Sequence, residues 1–184
     1  MRIFKTDGDT ISPAATGETG AVALRGPNIF QGYLSEHHNQ GVWLTDTNGE
    51  VWLNTGDLGD LDEDGYLWLR GRSKDIIIRG GHNIDPAVIE DAFFAHPSVA
   101  LAAAIGRRDA HAGEVPVVYV ELKPGETISE TALMEFANHR IMERAARPKD
   151  VRIVPALPLT AIGKVFKPAL REIDDLGESR VKAS

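Results

Sequence analysis

Three short polar segments hold the residues whose types and spacing can do chemistry. In Thr55-Gly56-Asp57 a carboxylate follows a glycine at the end of a strand-like run. There it can accept two hydrogen bonds from paired hydroxyls, such as the 2′ and 3′ groups of a ribose, or serve as an ordinary turn aspartate. In Ile78-Arg79-Gly80-Gly81-His82-Asn83 two adjacent glycines let backbone approach a ligand with no Cβ in the way, and a tight strand-to-helix turn would use the same pair. Lys164 follows Gly163 in a loop rich in Pro, Thr and Gly, with Val165-Phe166 behind it as an anchor, a setting that gives an ammonium reach and mobility. Arg72, directly after Gly71, reads by itself as a partner for a nearby acid. Arg107 and Arg108, with Asp109, His111 and Gly113-Glu114, read as a polar loop between strands; an arginine pair can contact a phosphate, but solvation alone accounts for it. Lys149, Lys167 and Arg171 carry no specific signal.

The elements that must position these residues change character near Lys74. Before it, short apolar or alternating runs at Gly20 to Leu24, Val42 to Leu44, Val51 to Leu53 and Tyr66 to Leu69 are separated by Gly, Asp and Asn turns, which predicts a small antiparallel β unit. Asp62-Glu63-Asp64-Gly65 marks a hairpin, and Trp52 and Trp68 are expected to pack on the sheet. After Lys74, Ile76-Ile77-Ile78 predicts a strand, and Asp85 caps a helix that has Pro86 at its first position and Val88, Ile89, Ala92 and Phe93 at helical spacing. Strands follow at Val99 to Ile105 and Val115 to Leu122. A second helix is predicted from a Ser129 cap to Ala146, with Leu133, Phe136, Ala137 and Ile141 inward and Pro148 as its stop. Val151 to Val154 makes a strand, Pro155 to Ile162 a loop, and Pro168 opens a short final helix before a frayed 177–184 tail. The expected fold class is α+β: a β unit over 1–73 and a compact α+β unit over 74–184.

Composition narrows the function classes. The 184 residues carry a formal charge of −7, which argues against a general nucleic-acid surface, so an anionic ligand has to be held locally. The charge is uneven, with six basic and eleven acidic side chains in 1–74 against fourteen and sixteen in 75–184. With no cysteine there is no disulfide framework, thiolate metal site or cysteine nucleophile, and the six histidines form no ligand cluster. No apolar run is long enough to span a bilayer and no leader precedes the polar start at Thr6-Asp7, so a cytoplasmic protein is expected.

Taken in order, Asn54-Thr55-Gly56-Asp57-Leu58-Gly59, Gly65-Tyr66-Leu67-Trp68-Leu69, Ile78-Arg79-Gly80-Gly81-His82-Asn83-Ile84-Asp85-Pro86 and Pro158-Leu159-Thr160-Ala161-Ile162-Gly163-Lys164 resemble the adenylate-forming superfamily, and within it bacterial AMP-forming acyl-CoA synthetases. The likeness runs from about Gly17 to Glu172 and matches the last third of such an enzyme. It implies that residues 1–73 are the end of the large domain's β-barrel subdomain and that 74–184 form the C-terminal lid, hinged at Lys74, where a charged side chain can stay hydrated in two orientations. By the same resemblance Asp57 and Arg72 contact the nucleotide ribose and phosphate region, Gly80, Gly81 and His82 line the pantetheine tunnel, and Lys164 bridges the acyl carboxylate and the α-phosphate. The implied cofactors are ATP/AMP and CoA.

The family's Ser/Thr/Gly phosphate loop, and the aromatic-Gly-x-Thr-Glu element whose Glu binds Mg²⁺, are not found in these residues, so no metal ligand is assigned. No Walker-type loop replaces them, since Gly163-Lys164 lacks the required spacing. Val42 to Glu50 also departs from the short Asp-Gly-Trp run usual there. The resemblance therefore implies a fragment, inactive alone, whose partner is a large N-terminal domain and whose substrate is a carboxylic, most simply fatty, acid; a homo-oligomer is an open possibility. Two other readings fit the same residues: a non-catalytic interaction module that uses the lid fold, which exposed apolar area on 1–74 would favour, and the lid of an adenylation enzyme that loads a carrier protein.

Overall fold

The computed structural model describes residues 1–7 and 10–181, which divide into two compact units at Lys74/Asp75. The first unit is a six-stranded antiparallel sheet of β1 (Arg2–Asp7), β2 (Thr10–Pro13), β3 (Gly20–Leu24), β4 (Trp43–Thr45), β5 (Val51–Leu61) and β6 (Leu67–Arg72). Its spine is β5, which pairs with β3 along one edge and with β4 and then β6 along the other. Period-two alternation places Phe4, Ile11, Ala23 and Trp52 in one buried cluster, with the Phe4 and Trp52 rings edge to face at 5.2 Å. Asp46 fixes the β4–β5 turn: its carboxylate accepts the backbone N–H groups of Asn48 and Glu50 and the indole N–H of Trp52, the last at 3.2 Å. Trp52 is therefore core. Trp68 is not, for its ring lies 55% exposed while its indole N–H donates to Asp62. The first two strands carried no sequence prediction, because Lys5, Thr6 and Thr10 blur their alternation.

The second unit contains β7 (Ile77–Arg79), β8 (His82–Ile84), α1 (Pro86–Phe94), β9 (Val99–Asp109), β10 (Gly113–Leu122), α2 (Glu130–Asn138), β11 (Asp150–Val154) and α3 (Lys167–Val181). Strand β10 is central, antiparallel to β9 over its whole length, parallel to β11 and joined to β7 at Gly113. Its Val115 and Val117 to Val120 are all buried, as a strand covered on both faces requires. Val118 and Val120 face Ile89, Phe93, Leu133 and Ala137 of α1 and α2 on one side, while Val117 and Tyr119 face Leu157 and Leu170 on the other. The Asp85 carboxylate accepts the Ala87 N–H at 2.9 Å, with Pro86 opening α1, and the Ser129 hydroxyl accepts the Ala132 N–H at the start of α2. Val88 points outward, half exposed.

Two helices differ from their predicted lengths. α2 ends at Asn138 rather than Ala146, and a single 3₁₀ turn at Arg144–Ala146 follows. Ile141 is buried outside the helix, and the Ala145 and Arg147 carbonyls accept hydrogen bonds from Arg79, so tertiary contacts hold this segment in its non-α-helical course. α3 is longer than expected and runs through 177–181; the expected frayed end at 182–184 lies outside the described residues.

A buried ionic cluster ties α3 to the sheet. Asp174, 2% exposed, receives the Arg107 Nε and Nη2 hydrogens at 2.7 and 2.6 Å and the Tyr119 hydroxyl at 2.6 Å. Arg107 also donates to Asp150, to which Arg152 donates as well. Burial raises the Asp174 carboxyl, but hydrogen bonds from Arg107 and Tyr119 and the charges of Arg107 and Arg152 outweigh it and hold the group below the ordinary carboxylate value. Burial, together with the bond to Asp174, pushes the Tyr119 hydroxyl up to about 12. Because the folded Asp174 is more acidic than the unfolded one, its contribution is present above the unfolded carboxylate range and is lost as pH falls through the folded value. Asp174→Asn should cost the second unit about 3–5 kcal/mol by leaving Arg107 without its buried countercharge. Urea unfolding at neutral pH measures this, and the difference from wild type should shrink in acid.

Candidate functional site

The Thr55-Gly56-Asp57 segment is not a turn. It is a bulge inside the continuous strand β5: β3 pairs Ala23 with Asn54 but Ala21 with Leu58, so the ladder slips around Gly56, whose φ is 77°. The Thr55 hydroxyl bridges the gap by donating to the Val22 carbonyl at 2.9 Å and accepting the Asp57 N–H at 3.1 Å. The bulge aims Asp57 across the ladder at Arg72, its register partner on β6. Arg72 Nε lies 3.0 Å from the Asp57 carboxylate, and its Nη2 donates to the Thr55 carbonyl at 3.2 Å. A carboxylate and a guanidinium thus sit together, more than a third exposed and able to turn outward toward a polyhydroxylated, phosphorylated ligand. The strand prediction missed this continuity because polar Asn54 to Asp57 breaks the apolar pattern. Lys74 is the exposed middle residue of the 73–75 turn that follows β6.

Gly80 and Gly81 are the two turn residues of the β7–β8 hairpin, in which Arg79 pairs with His82. This corrects the expected strand-to-helix turn: a three-residue strand, His82–Ile84, stands between the glycines and α1. Both glycines have positive φ, 56° and 85°, the condition for the two-residue turn that matches strand twist. A Cβ at either would meet no atom within 4 Å, so φ and not crowding demands glycine, and the turn lies open for a ligand to approach its backbone. His82 is exposed, with Nδ1 3.4 Å from Glu143.

Lys164 lies in a tight loop closed by pairing of Leu159 with Val165. The Thr160 N–H donates to the Lys164 carbonyl at 2.7 Å, the Lys164 N–H to the Thr160 hydroxyl at 3.1 Å, and the Phe166 N–H to the Pro158 carbonyl at 2.8 Å. The backbone is fixed at both ends while the exposed ammonium projects from it. Arg107, expected in a solvated loop with Arg108, is instead in β9 within the ion cluster; the loop is only 110–112. Lys149 pairs with Asp109, Lys167 with Glu90 and Arg171 with Asp75, each at 2.8 to 3.1 Å, so all three have structural partners. Among the described residues no group of three or more His, Cys, Asp or Glu could hold a metal ion, and no helix is long and apolar enough to cross a membrane.

A β unit carrying an Asp–Arg pair, followed by an α+β unit with a glycine hairpin and an exposed loop lysine, is the order of features expected from a resemblance to the adenylate-forming enzymes. Residues 88–164 match the AMP-binding enzyme C-terminal domain. The chain is 46% identical over 165 residues to the marinolic acid–CoA ligase of a Pseudoalteromonas species, covering 90% of this chain but 25% of that protein. Among solved structures it is similar to ATP-bound MatB from Rhodopseudomonas palustris (33% identity, TM-score 0.80, 94% of this chain and 33% of that one). It is also similar to the o-succinylbenzoate CoA synthetase of Bacillus subtilis in complex with an acyl-adenylate (32%, 0.76, 93% and 33%). Residues 88–164 thus belong to the AMP-binding enzyme C-terminal domain family, and the chain corresponds to the C-terminal portion of the CoA ligases that it matches. It spans a quarter to a third of the length of these relatives.

The left-handed backbone of the hairpin gives a direct test. Gly81→Ala should destabilise the second unit by about 1–2 kcal/mol, whereas Gly80→Asn, which tolerates positive φ better, should cost less. Equal losses in urea unfolding would mean that φ is not what selects glycine here.

Proposed function

We propose that this chain supplies the mobile lid and one wall of the nucleotide site of an AMP-forming acyl-CoA synthetase. The reaction joins a carboxylate to ATP, giving acyl-AMP and pyrophosphate, and CoA sulfur then attacks the acyl carbon, releasing AMP. The observation that carries this reading is the fixed Pro158–Phe166 loop with Lys164 projecting from it, in a domain matched to CoA ligases. In the first step Lys164 neutralises charge between the acyl carboxylate and the α-phosphate as pyrophosphate leaves. Such preorganised charge commonly contributes two to three orders of magnitude, about 10²–10³ in rate. Asp57 and Arg72 orient the ribose hydroxyls and the adjoining phosphate. In the second step rotation about Lys74 replaces Lys164 with the Gly80–Gly81 hairpin, whose open backbone lines the pantetheine path beside His82. ATP and CoA are the cosubstrates, and Mg²⁺ would accompany ATP with its protein ligand supplied from outside these residues.

The partner is the large N-terminal adenylating domain. Its docking would cover some of the exposed Tyr33, Leu34, Val51, Tyr66 and Leu69 of the first unit, each at least half exposed. The same surface is what favours the interaction-module reading, which differs in predicting no chemistry. The substrate is a carboxylic acid. The names of two relatives, marinolic acid and o-succinylbenzoate, point to no single acyl class, and the acyl pocket belongs to the large domain, so nothing in this chain favours a fatty acid. A cytoplasmic setting suits ATP- and CoA-dependent chemistry.

A chimera in which this chain replaces the matching C-terminal portion of the Pseudoalteromonas ligase tests the assignment. Lys164→Ala should lower carboxylate-dependent pyrophosphate exchange by about 10²–10³-fold while leaving attack of CoA on supplied acyl-adenylate within a few-fold. Retained adenylation would refute the role. Lys74→Pro, which fixes φ at the hinge, should slow one half-reaction much more than the other. Equal effects on both would remove Lys74 as the hinge.

A further inference from the structure

The hairpin that carries Gly80 and Gly81 is short, three residues per strand, yet side chains from distant segments hold it on both flanks. On one flank the Arg79 guanidinium donates through Nη1 to the Ala145 carbonyl at 2.9 Å and the Arg147 carbonyl at 3.0 Å, capturing the segment that ends α2 early. On the other, the Glu114 carboxylate accepts the Ile78 N–H at 2.9 Å. That reach depends on Gly106, where a Cβ would stand 2.5 Å from Glu114 Oε2. The tip is pinned as well, for the Gly80 N–H donates to the Ala112 carbonyl at 2.7 Å. β7 meets β10 at the single register pair of Gly113 with Arg79, so these side-chain bonds replace a ladder that is almost absent.

We propose that Arg79 and Glu114 are positioning residues for the acyl-acceptor step. They clasp the hairpin from its two flanks, so that the open Gly80–Gly81 backbone meets the pantetheine arm of CoA in one preset geometry. The proposal rests on the reading that this hairpin lines the acceptor path. Neither residue touches CoA; each acts through the turn that it holds. Misplacing a group that aligns reactants by about 1 Å can cost about a hundred-fold in rate, so loss of the clasp should fall on the thioester step and spare adenylation.

The experiment has two arms, applied to Arg79→Ala, Arg79→Lys and Gly106→Ala. In the chain itself, amide hydrogen exchange at Gly80 reads the clasp without a partner domain. In the chimera with the Pseudoalteromonas ligase, the two half-reactions are measured separately, with marinolic acid and with its supplied adenylate. Arg79→Ala should speed Gly80 exchange at least ten-fold and lower kcat for thioester formation by about ten- to a hundred-fold, with KM for CoA and pyrophosphate exchange within a few-fold. Arg79→Lys, whose shorter side chain holds its single ammonium farther from the two carbonyls that Nη1 bonds, should fall between, and Gly106→Ala should speed exchange by displacing Glu114. Unchanged Gly80 exchange in Arg79→Ala overturns the clasp. Faster exchange with unchanged thioester kinetics overturns the positioning role. Failure of the function reading is separately visible as adenylation insensitive to Lys164→Ala, and the exchange arm still decides the clasp in that event.

Discussion

The second unit depends on one buried interaction, the bidentate contact of Arg107 with Asp174. A carboxylate that is 2% exposed can stay ionised only if donors surround it, and Arg107, Tyr119 and Arg152 do so from β9, β10 and β11. The contact locks α3 onto the face of the sheet opposite α1 and α2. The loop bearing Lys164 ends where α3 begins, and Lys167 at the first turn pairs with Glu90. The lysine's reach is therefore set by a helix whose seat is electrostatic as much as apolar, with Leu170 and Leu157 completing the contact.

The two loops proposed for chemistry have fixed backbones, one through the Thr160–Lys164 bonds and the other through the Arg79 and Glu114 bonds. The Lys164 side chain extends, exposed, from its fixed backbone. The Asp57–Arg72 pair follows the same logic, since a strand bulge is stiffer than a loop and can still turn a side chain out of the ladder.

Much of this was legible from residue types. The Asp85 and Ser129 caps, the Asp-Gly hairpin before β6, the glycine pair and the lysine loop each follow from local chemistry that tertiary packing leaves intact. Less legible were features decided at long range. Thr55 to Asp57 look like a turn because nothing local shows that the Thr55 hydroxyl bonds to Val22, 33 positions earlier. The Ser129 helix looks longer than it is because its extra turns would satisfy local propensity, whereas the segment after it is held by contacts such as that of Arg79 with the Ala145 carbonyl, 66 positions away. Arg107 looked solvated because its partner Asp174 lies 67 positions on and sequence spacing carries no trace of the pairing.

We propose that this chain works as the lid of a carboxylate-activating ligase. The most direct test is carboxylate-dependent AMP release from ATP and CoA, measured for the chain alone, for the truncated Pseudoalteromonas body alone and for the two joined. The account predicts that neither piece turns over and that joining them gives AMP and acyl-CoA in equal amounts. A correctly folded chimera without AMP release, or release by this chain alone, would contradict it.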